Sequence, residues 1–296
     1  MRSVTSLDLG RIGVWGHLDS LSADRARAYA RRADQLGYAA LWVPETVGRE
    51  PFTLLGMLAG ETERLVLGTS IVNIWGRDPQ ASRMGALTLA EATDGRFVLG
   101  LGVSHPHLAA KLRGHTFERP VARMREYLAA YRSAVYRGPS SGAAEPPVLV
   151  AALRERMTDL AATDADGAFP YLVTPERVAW MRARLDAGGG RPLLAVTLPV
   201  VIGADPNRTA ARAYLTPYLR TPTYQASWEL QGFEAADLEP PGSDRLVEAM
   251  VVTGSAEEAR RRIEELLSAG ADHVAIVPLD ADGRTEHLPT LEALAP

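Results

Sequence analysis

Residues 65–105 read as strand, helix, strand. Two β-rich apolar runs, 65–74 and 96–103, flank a segment that opens Asp78-Pro79, a helix N-cap followed by proline at the first helical position. Neighbouring strands of this kind run parallel only when a crossover helix returns the chain, and their continuous apolar character demands cover on both faces. A chain built on this unit is confined to the parallel α/β class. In that class chemistry gathers where strands end, which here means Ser70, Asn73, Ser104 and His105.

The alternation continues along the chain. Strand signals fall at 11–16, 38–44, 65–74, 96–103, 148–152, 167–172, 193–202 and 273–278. Between the first two, Ser22 caps a helix with a stripe of Ala26, Tyr29, Ala30, Ala33 and Leu36, and Gly37 ends it. Further helices are predicted from Pro51, over 121–135 with Val121, Met124, Leu128, Tyr131 and Val135 on one face, from about Glu155, after Thr174-Pro175, after Asp205-Pro206, and from a capping box at Ser255–Glu258. Eight β/α repeats in 296 residues predict one (β/α)8 barrel domain over 1–296 rather than a doubly wound sheet. The run GPSSGAAEPP at 138–147 is expected to be a surface loop, because the alternation resumes directly after it. Residues 221–243, rich in aromatics and prolines, exceed an ordinary connection and form an insertion before the last helix–strand unit, a candidate lid or subunit contact.

Several function classes are excluded by what the sequence lacks. Its 32 basic and 36 acidic residues are interspersed, so neither nucleic acid nor an anionic membrane is an expected partner. The absence of cysteine removes disulfides, thiolate catalysis and cysteine-bound metals. The first ten residues carry no signal-peptide core and no run approaches the length of a membrane helix, so a cytoplasmic protein is expected. No GxGxxG opens the first β/α unit, Gly100-Leu-Gly102 lacks a third glycine, and neither a P-loop nor a GxSxG elbow occurs.

In a barrel the strand ends converge on one mouth, which gathers His17, Glu45, Thr46, Ser70, Asn73, Ser104, His105, Arg154 and Tyr171. His105 is read as a proton donor or cofactor contact, since imidazole changes charge near neutrality. Glu45 is read as a carboxylate aimed into the mouth rather than a helix-initiating group. His105, His107 and His115 are not read as a metal site, because no carboxylate stands at ligand spacing and the i, i+2 pair brackets Pro106. Trp15, Trp42 and Trp75 are expected in the core, with Trp75, His17, Tyr171 and the insertion as candidate walls of an apolar, partly lidded substrate pocket.

Four stretches, GYAALWVPE (37–45), LVLGTSIVNIWGRDP (65–79), GRFVLGLGVSHP (95–106) and SAGADHVAIVPL (268–279), resemble the luciferase-like oxidoreductases, specifically their F420-associated branch. This resemblance implies a bacterial-luciferase-like (β/α)8 TIM barrel that uses coenzyme F420 or, in other branches, FMN, acts on a small-molecule substrate and commonly pairs as a homodimer. It places a non-proline cis peptide at Ser70-Ile71 behind the deazaflavin ring. It further implies that Asn73 hydrogen-bonds the ring system, that Val103 and Ser104 lie near its edge and tail, and that Glu45 is an acidic cofactor contact. Thr46 stands where related sugar-phosphate dehydrogenases keep a catalytic histidine, which disfavours that reaction. His105 stands where they keep an acid, which makes it the leading proton donor. Arg154 replaces part of a glycine-rich phosphate turn and is implied to bind the phosphate or glutamate tail.

Overall fold

A computed structural model describes residues 7–106, 108–139 and 145–296. Ten parallel strands follow in order: β1 Ile12–Trp15, β2 Ala40–Val43, β3 Val66–Thr69, β4 Val72–Asn73, β5 Phe97–Gly102, β6 Val148–Val150, β7 Gly167–Ala168, β8 Leu193–Ile202, β9 Val252–Gly254 and β10 His273–Leu279. Neighbours run β1-β2-β3-β5-β6-β7-β8-β10, and β10 pairs back onto β1, so eight strands close a barrel. The first helix, Ala23–Gln35, starts where Ser22 accepts the backbone N–H of Arg25, and Pro79–Ala92 starts where Asp78 accepts that of Ala81. Ser255 and Glu258 form the expected reciprocal capping box.

Burial divides each strand between two cores. In β10, Val274 and Ile276 pack outward beneath the helices, while Ala275 and Val277 face the barrel interior. The interior core also contains Trp42, Val98 and Phe169 and is continuous with the buried faces of Thr209–Leu219, Pro222–Glu229 and Asp244–Met250. The insertion is therefore helical, and it packs with its neighbours onto one end of the barrel. Trp228 binds it there, donating its indole N–H to the carbonyl of Leu172 at 3.2 Å.

Several expected boundaries change. The run 65–74 is not one strand: it breaks at a cis Ser70-Ile71 peptide, where the resemblance places one, and β4 resumes the pairing with β5. Glycine is required across the break. A Cβ at Gly100 would lie 2.0 Å from the Thr69 carbonyl oxygen, and one at Gly102 would lie 2.4 Å from the Ile71 side chain. Thr69 fills the interrupted ladder with its hydroxyl, which accepts from the N–H of Gly100 and donates to its carbonyl. The sixth repeat keeps only β7 of the expected 167–172: Pro170 has no N–H to extend the ladder, and Leu172 beyond it turns left-handed at φ 56°. Val135 lies past the end of Pro120–Ser133 and is exposed, so it leaves the expected stripe. After Asp205 the chain makes a 3-10 turn, and the helix begins only at Thr209; the Asp205 carboxylate accepts from Ala210 and Ala211 instead. β9, an added strand beside the end of β8, was not expected.

At the opposite end from the strand carboxyl termini, His273 is fully buried. Its Nδ1 donates to the Gly10 carbonyl at 2.8 Å, and its Nε2 accepts from the Trp42 indole at 3.0 Å, a pattern only the neutral ring satisfies. Gly13 makes room, since a Cβ there would lie 2.5 Å from the imidazole. Burial, only partly opposed by the bond to Gly10, holds the His273 pKa down at about 4. The unfolded chain takes up this proton near pH 6.5 and the folded one does not, so stability is complete above that pH and declines as pH falls toward 4. Between pH 7 and pH 4.5 this residue should withdraw about 2–3 kcal/mol from the unfolding free energy. Urea titrations of wild type and His273→Asn at both pH values should show that excess loss in the wild type alone; equal losses would contradict it.

Candidate functional site

The carboxyl ends of the strands bring His17, Glu45, Thr46, Ser70, Asn73, Val103, Ser104, His105, Arg154 and Tyr171 to one end of the barrel, beneath the helical cover. Two groups form there, one charged and one aromatic.

Glu45 is the centre of the charged group, with a side chain only 6% exposed. One carboxylate oxygen accepts from the Asn73 backbone and side-chain amides, each at 2.7 Å, and from Arg77 at 3.2 Å. The other accepts from Arg77 at 3.0 Å and Arg113 at 3.1 Å. Glu45 thus points into the mouth, and the helix-initiating role belongs to Glu50, which caps Pro51–Ala59. Arg77 also reaches Glu50 at 2.8 Å, which balances two guanidiniums with two carboxylates. Asn73 completes its own contacts by accepting the N–H of Trp75 at 3.1 Å. Five donors leave the Glu45 carboxylate little capacity for a further partner.

The aromatic group starts at Trp15, the last residue of β1. Its indole donates to the carbonyl of Ser70, on the cis peptide, at 3.2 Å, and its ring lies 5.6 Å from Tyr171. The Tyr171 hydroxyl bonds those of Tyr214 and Tyr218, the latter at 3.4 Å. Tyr224 stands 5.0 Å from the Tyr218 ring and 5.5 Å from that of His105. Burial first, and neighbouring tyrosines second, push the Tyr171 and Tyr214 phenols well above the ordinary range; burial raises Tyr218 and Tyr224 too. His105 shares a 2.7 Å hydrogen bond between Nδ1 and the Thr223 hydroxyl, which ties the end of β5 to Pro222–Glu229. Ser104 permits this by turning left-handed at φ 57°.

The other expected residues are placed as follows. His17 stacks beside Trp15 and approaches Asp19 at 3.5 Å, while Thr46 donates to that same carboxylate. Val103 offers its carbonyl to the Trp75 indole at 2.8 Å. Trp75 packs beside His115 and Phe117 and, with His115, lines a cavity of about 440 Å³ that His17 does not share, and Tyr171 lines neither that cavity nor the one beside His17. His17 instead lines a cavity of about 310 Å³ with Trp15, Tyr214, Tyr218 and Glu286. Arg154 is exposed at the start of Glu155–Asp164, whose first turn has no side-chain cap. His107 lies outside the described residues, and among those described no cluster of His, Cys, Asp or Glu is arranged to hold a metal ion. No helix among them is long and apolar enough to cross a membrane.

Sequence reasoning missed Asp19, Arg77, Arg113, Tyr214, Tyr218 and Tyr224. Arg77 sits beside the Asp78-Pro79 helix start and could be flagged from that position, whereas the tyrosines belong to helices whose packing against the barrel leaves no local signal.

A family model described as luciferase-like monooxygenase matches residues 3–273. A Mycobacterium tuberculosis protein provisionally named a coenzyme F420-dependent oxidoreductase is 26% identical, the match covering 96% of this chain and 97% of that one. Among solved structures, an F420-dependent secondary alcohol dehydrogenase with an F420-acetone adduct superposes with a TM-score of 0.77 at 14% identity, covering 97% of both chains. The FMN-bound oxygenating component of a Pseudomonas putida diketocamphane monooxygenase gives 0.69 at 14% identity, covering 90% of this chain and 91% of that one. At these identities the two structures speak for the barrel alone.

Proposed function

The chain belongs to the luciferase-like monooxygenase family, and from that premise we propose that it is an F420-dependent oxidoreductase acting as one barrel domain, in the cytoplasm and as a homodimer. It passes a hydride between the deazaflavin and a small organic substrate, in the direction that reduces an activated C=C, C=N or C=O bond. The end-to-end likeness to the M. tuberculosis F420-dependent oxidoreductase is the observation that carries this reading.

The donor set fits such a coenzyme. A flat ring system needs a level, partly apolar ledge, a role assigned here to the Ser70-Ile71 peptide, whose Ser70 carbonyl accepts from the Trp15 indole. An anionic tail needs positive charge, and the exposed Arg154 stands at an uncapped helix N-terminus, where peptide N–H groups and guanidinium favour the same anion. When bound, the deazaflavin supplies two-electron hydride chemistry. The chain's own residues do the rest. Glu45 fixes Asn73 and the two arginine-bearing loops beside the ledge, and the covering helices exclude water. His105, oriented by Thr223, carries the proton that accompanies the hydride.

FMN is the second reading, favoured by the FMN-bound diketocamphane monooxygenase on the same barrel. Fluorescence titration of the purified protein with F420 and with FMN separates them. Binding of F420 at least tenfold tighter than FMN is expected. Tighter FMN binding with oxygen-dependent turnover would overturn the proposal, and F420 binding without hydride exchange across a substrate panel would leave a non-catalytic coenzyme-binding barrel.

A further inference from the structure

Hydride transfer leaves open which of three unsaturated bonds is reduced, and the aromatic group bears on that choice. Resting on the oxidoreductase reading, we propose that the hydroxyls of Tyr214 and Tyr218, backed by Tyr171, form the binding site for the carbonyl oxygen of a small neutral ketone.

Three phenols from different parts of the chain, Tyr171 after β7 and two from Thr209–Leu219, bring their oxygens together in a buried cluster. Packing alone does not require this, since phenylalanine would fill the same space without three polar atoms to satisfy. Tyr214 and Tyr218 also line the 310 Å³ cavity, a volume at the lower end of small-molecule sites. Its remaining walls include the Trp15 indole and His17. Trp15 bonds the Ser70 carbonyl, so this cavity adjoins the ledge assigned to the coenzyme.

The chemistry of the cluster selects the ligand atom. A ketone oxygen has lone pairs and no proton, so it needs donors, and phenol O–H groups swivel to provide them. When Tyr171 donates to Tyr214, the Tyr214 proton is released for a ligand and that donor is polarised by the first bond. At 3.4 Å the Tyr218–Tyr171 bond is weak, and the Tyr218 O–H is readily redirected. The raised pKa values keep these groups protonated donors throughout the working pH range. An isolated alkene would offer the same donors no acceptor, and an iminium, which has no acceptor lone pair, would face O–H groups aimed at it. Glu286, the one carboxylate on the cavity wall, is occupied by the hydroxyls of Ser20 and Thr285. Tyr171 is accordingly a positioning residue, whereas Tyr214 and Tyr218 touch the ligand.

The test uses the whole protein without coenzyme, so its result is read independently of the F420 and FMN titrations. Calorimetry compares cyclohexanone with methylenecyclohexane, which has nearly the same shape and no oxygen. The ketone should bind about tenfold tighter to the wild type. Tyr214→Phe and Tyr218→Phe should each weaken it about fivefold while leaving the hydrocarbon unchanged. Infrared difference spectra of carbonyl-labelled cyclohexanone should show the C=O stretch lowered in the wild type and moved back toward its value in hexane in those two variants, with Tyr171→Phe giving a smaller return. Equal affinity for the two ligands in the wild type, a comparison that needs no variant to fold, would overturn the assignment. So would a C=O band that the substitutions leave in place.

Discussion

Replacing His105 with alanine is expected to lower turnover about 10²- to 10⁴-fold, some 3–5 kcal/mol on the barrier, while coenzyme affinity stays within about threefold. The expectation follows from where the imidazole is held. β5 delivers the chain to the mouth, the left-handed Ser104 turns it, and the Thr223 hydroxyl fixes one ring nitrogen at 2.7 Å. Tyr224 limits rotation of the ring from the side. A group that moves a proton in step with a hydride must be oriented before the reaction, and these contacts supply that orientation. His105→Gln separates proton transfer from positioning, because the amide can still hydrogen-bond Thr223 but cannot carry the proton. Single-turnover rates with a substrate found by following F420 absorbance should fall comparably in both variants. Unchanged rates in both would remove His105 from the mechanism and shift the proton to His17, Glu45 or Tyr171.

The architecture was legible because parallel β/α repeats announce themselves locally. Asp78, Thr174 and Ser255 cap helices through contacts no longer than three residues, and β8 has the expected bounds, 193–202. What failed was set by distance in sequence. The pattern of 65–74 reads as one strand, and only the family resemblance puts a cis peptide at Ser70-Ile71, where the chain has one; the glycines of β5, thirty residues on, admit Thr69 and Ile71 there. Read as a glycine pair without a third, they argued only against a dinucleotide site; in three dimensions they make room for the Thr69 carbonyl and the Ile71 side chain. Trp75 joins the core as expected but lines a cavity apart from His17, for a related reason. Its indole is drawn by the Val103 carbonyl, a bond formed only after β4 and β5 are side by side. The insertion 221–243 was recognised by length and composition, yet its role depends on Tyr224 and Trp228 meeting residues from β5, β7 and their loops. The tyrosine cluster is of the same kind: sites formed by tertiary packing leave their residues individually unremarkable.

Glu45→Ala should be the most destabilising single change at the mouth, costing about 3–5 kcal/mol. The carboxylate is nearly inaccessible, and its removal leaves the Arg77 and Arg113 side chains, 12% and 25% exposed, facing each other without the charge between them. Arg77 keeps Glu50, but that carboxylate is half exposed and is already bound to the amide and hydroxyl of Thr53. Asn73 loses the acceptor for both of its amides. The penalty is therefore uncompensated burial rather than the net worth of an ion pair, and the two can be told apart. Glu45→Gln retains an oxygen for Asn73 and removes only the charge, so it should lose less than Glu45→Ala. Adding Arg113→Gln to Glu45→Gln should restore part of the loss, because it removes one of the two opposed cations. Urea unfolding of the four proteins measures these terms, and a loss below about 1 kcal/mol in Glu45→Ala would show that the loops hold their geometry without the carboxylate. F420 titration of the folded variants is then expected to report weaker binding in proportion to how far Asn73 is released.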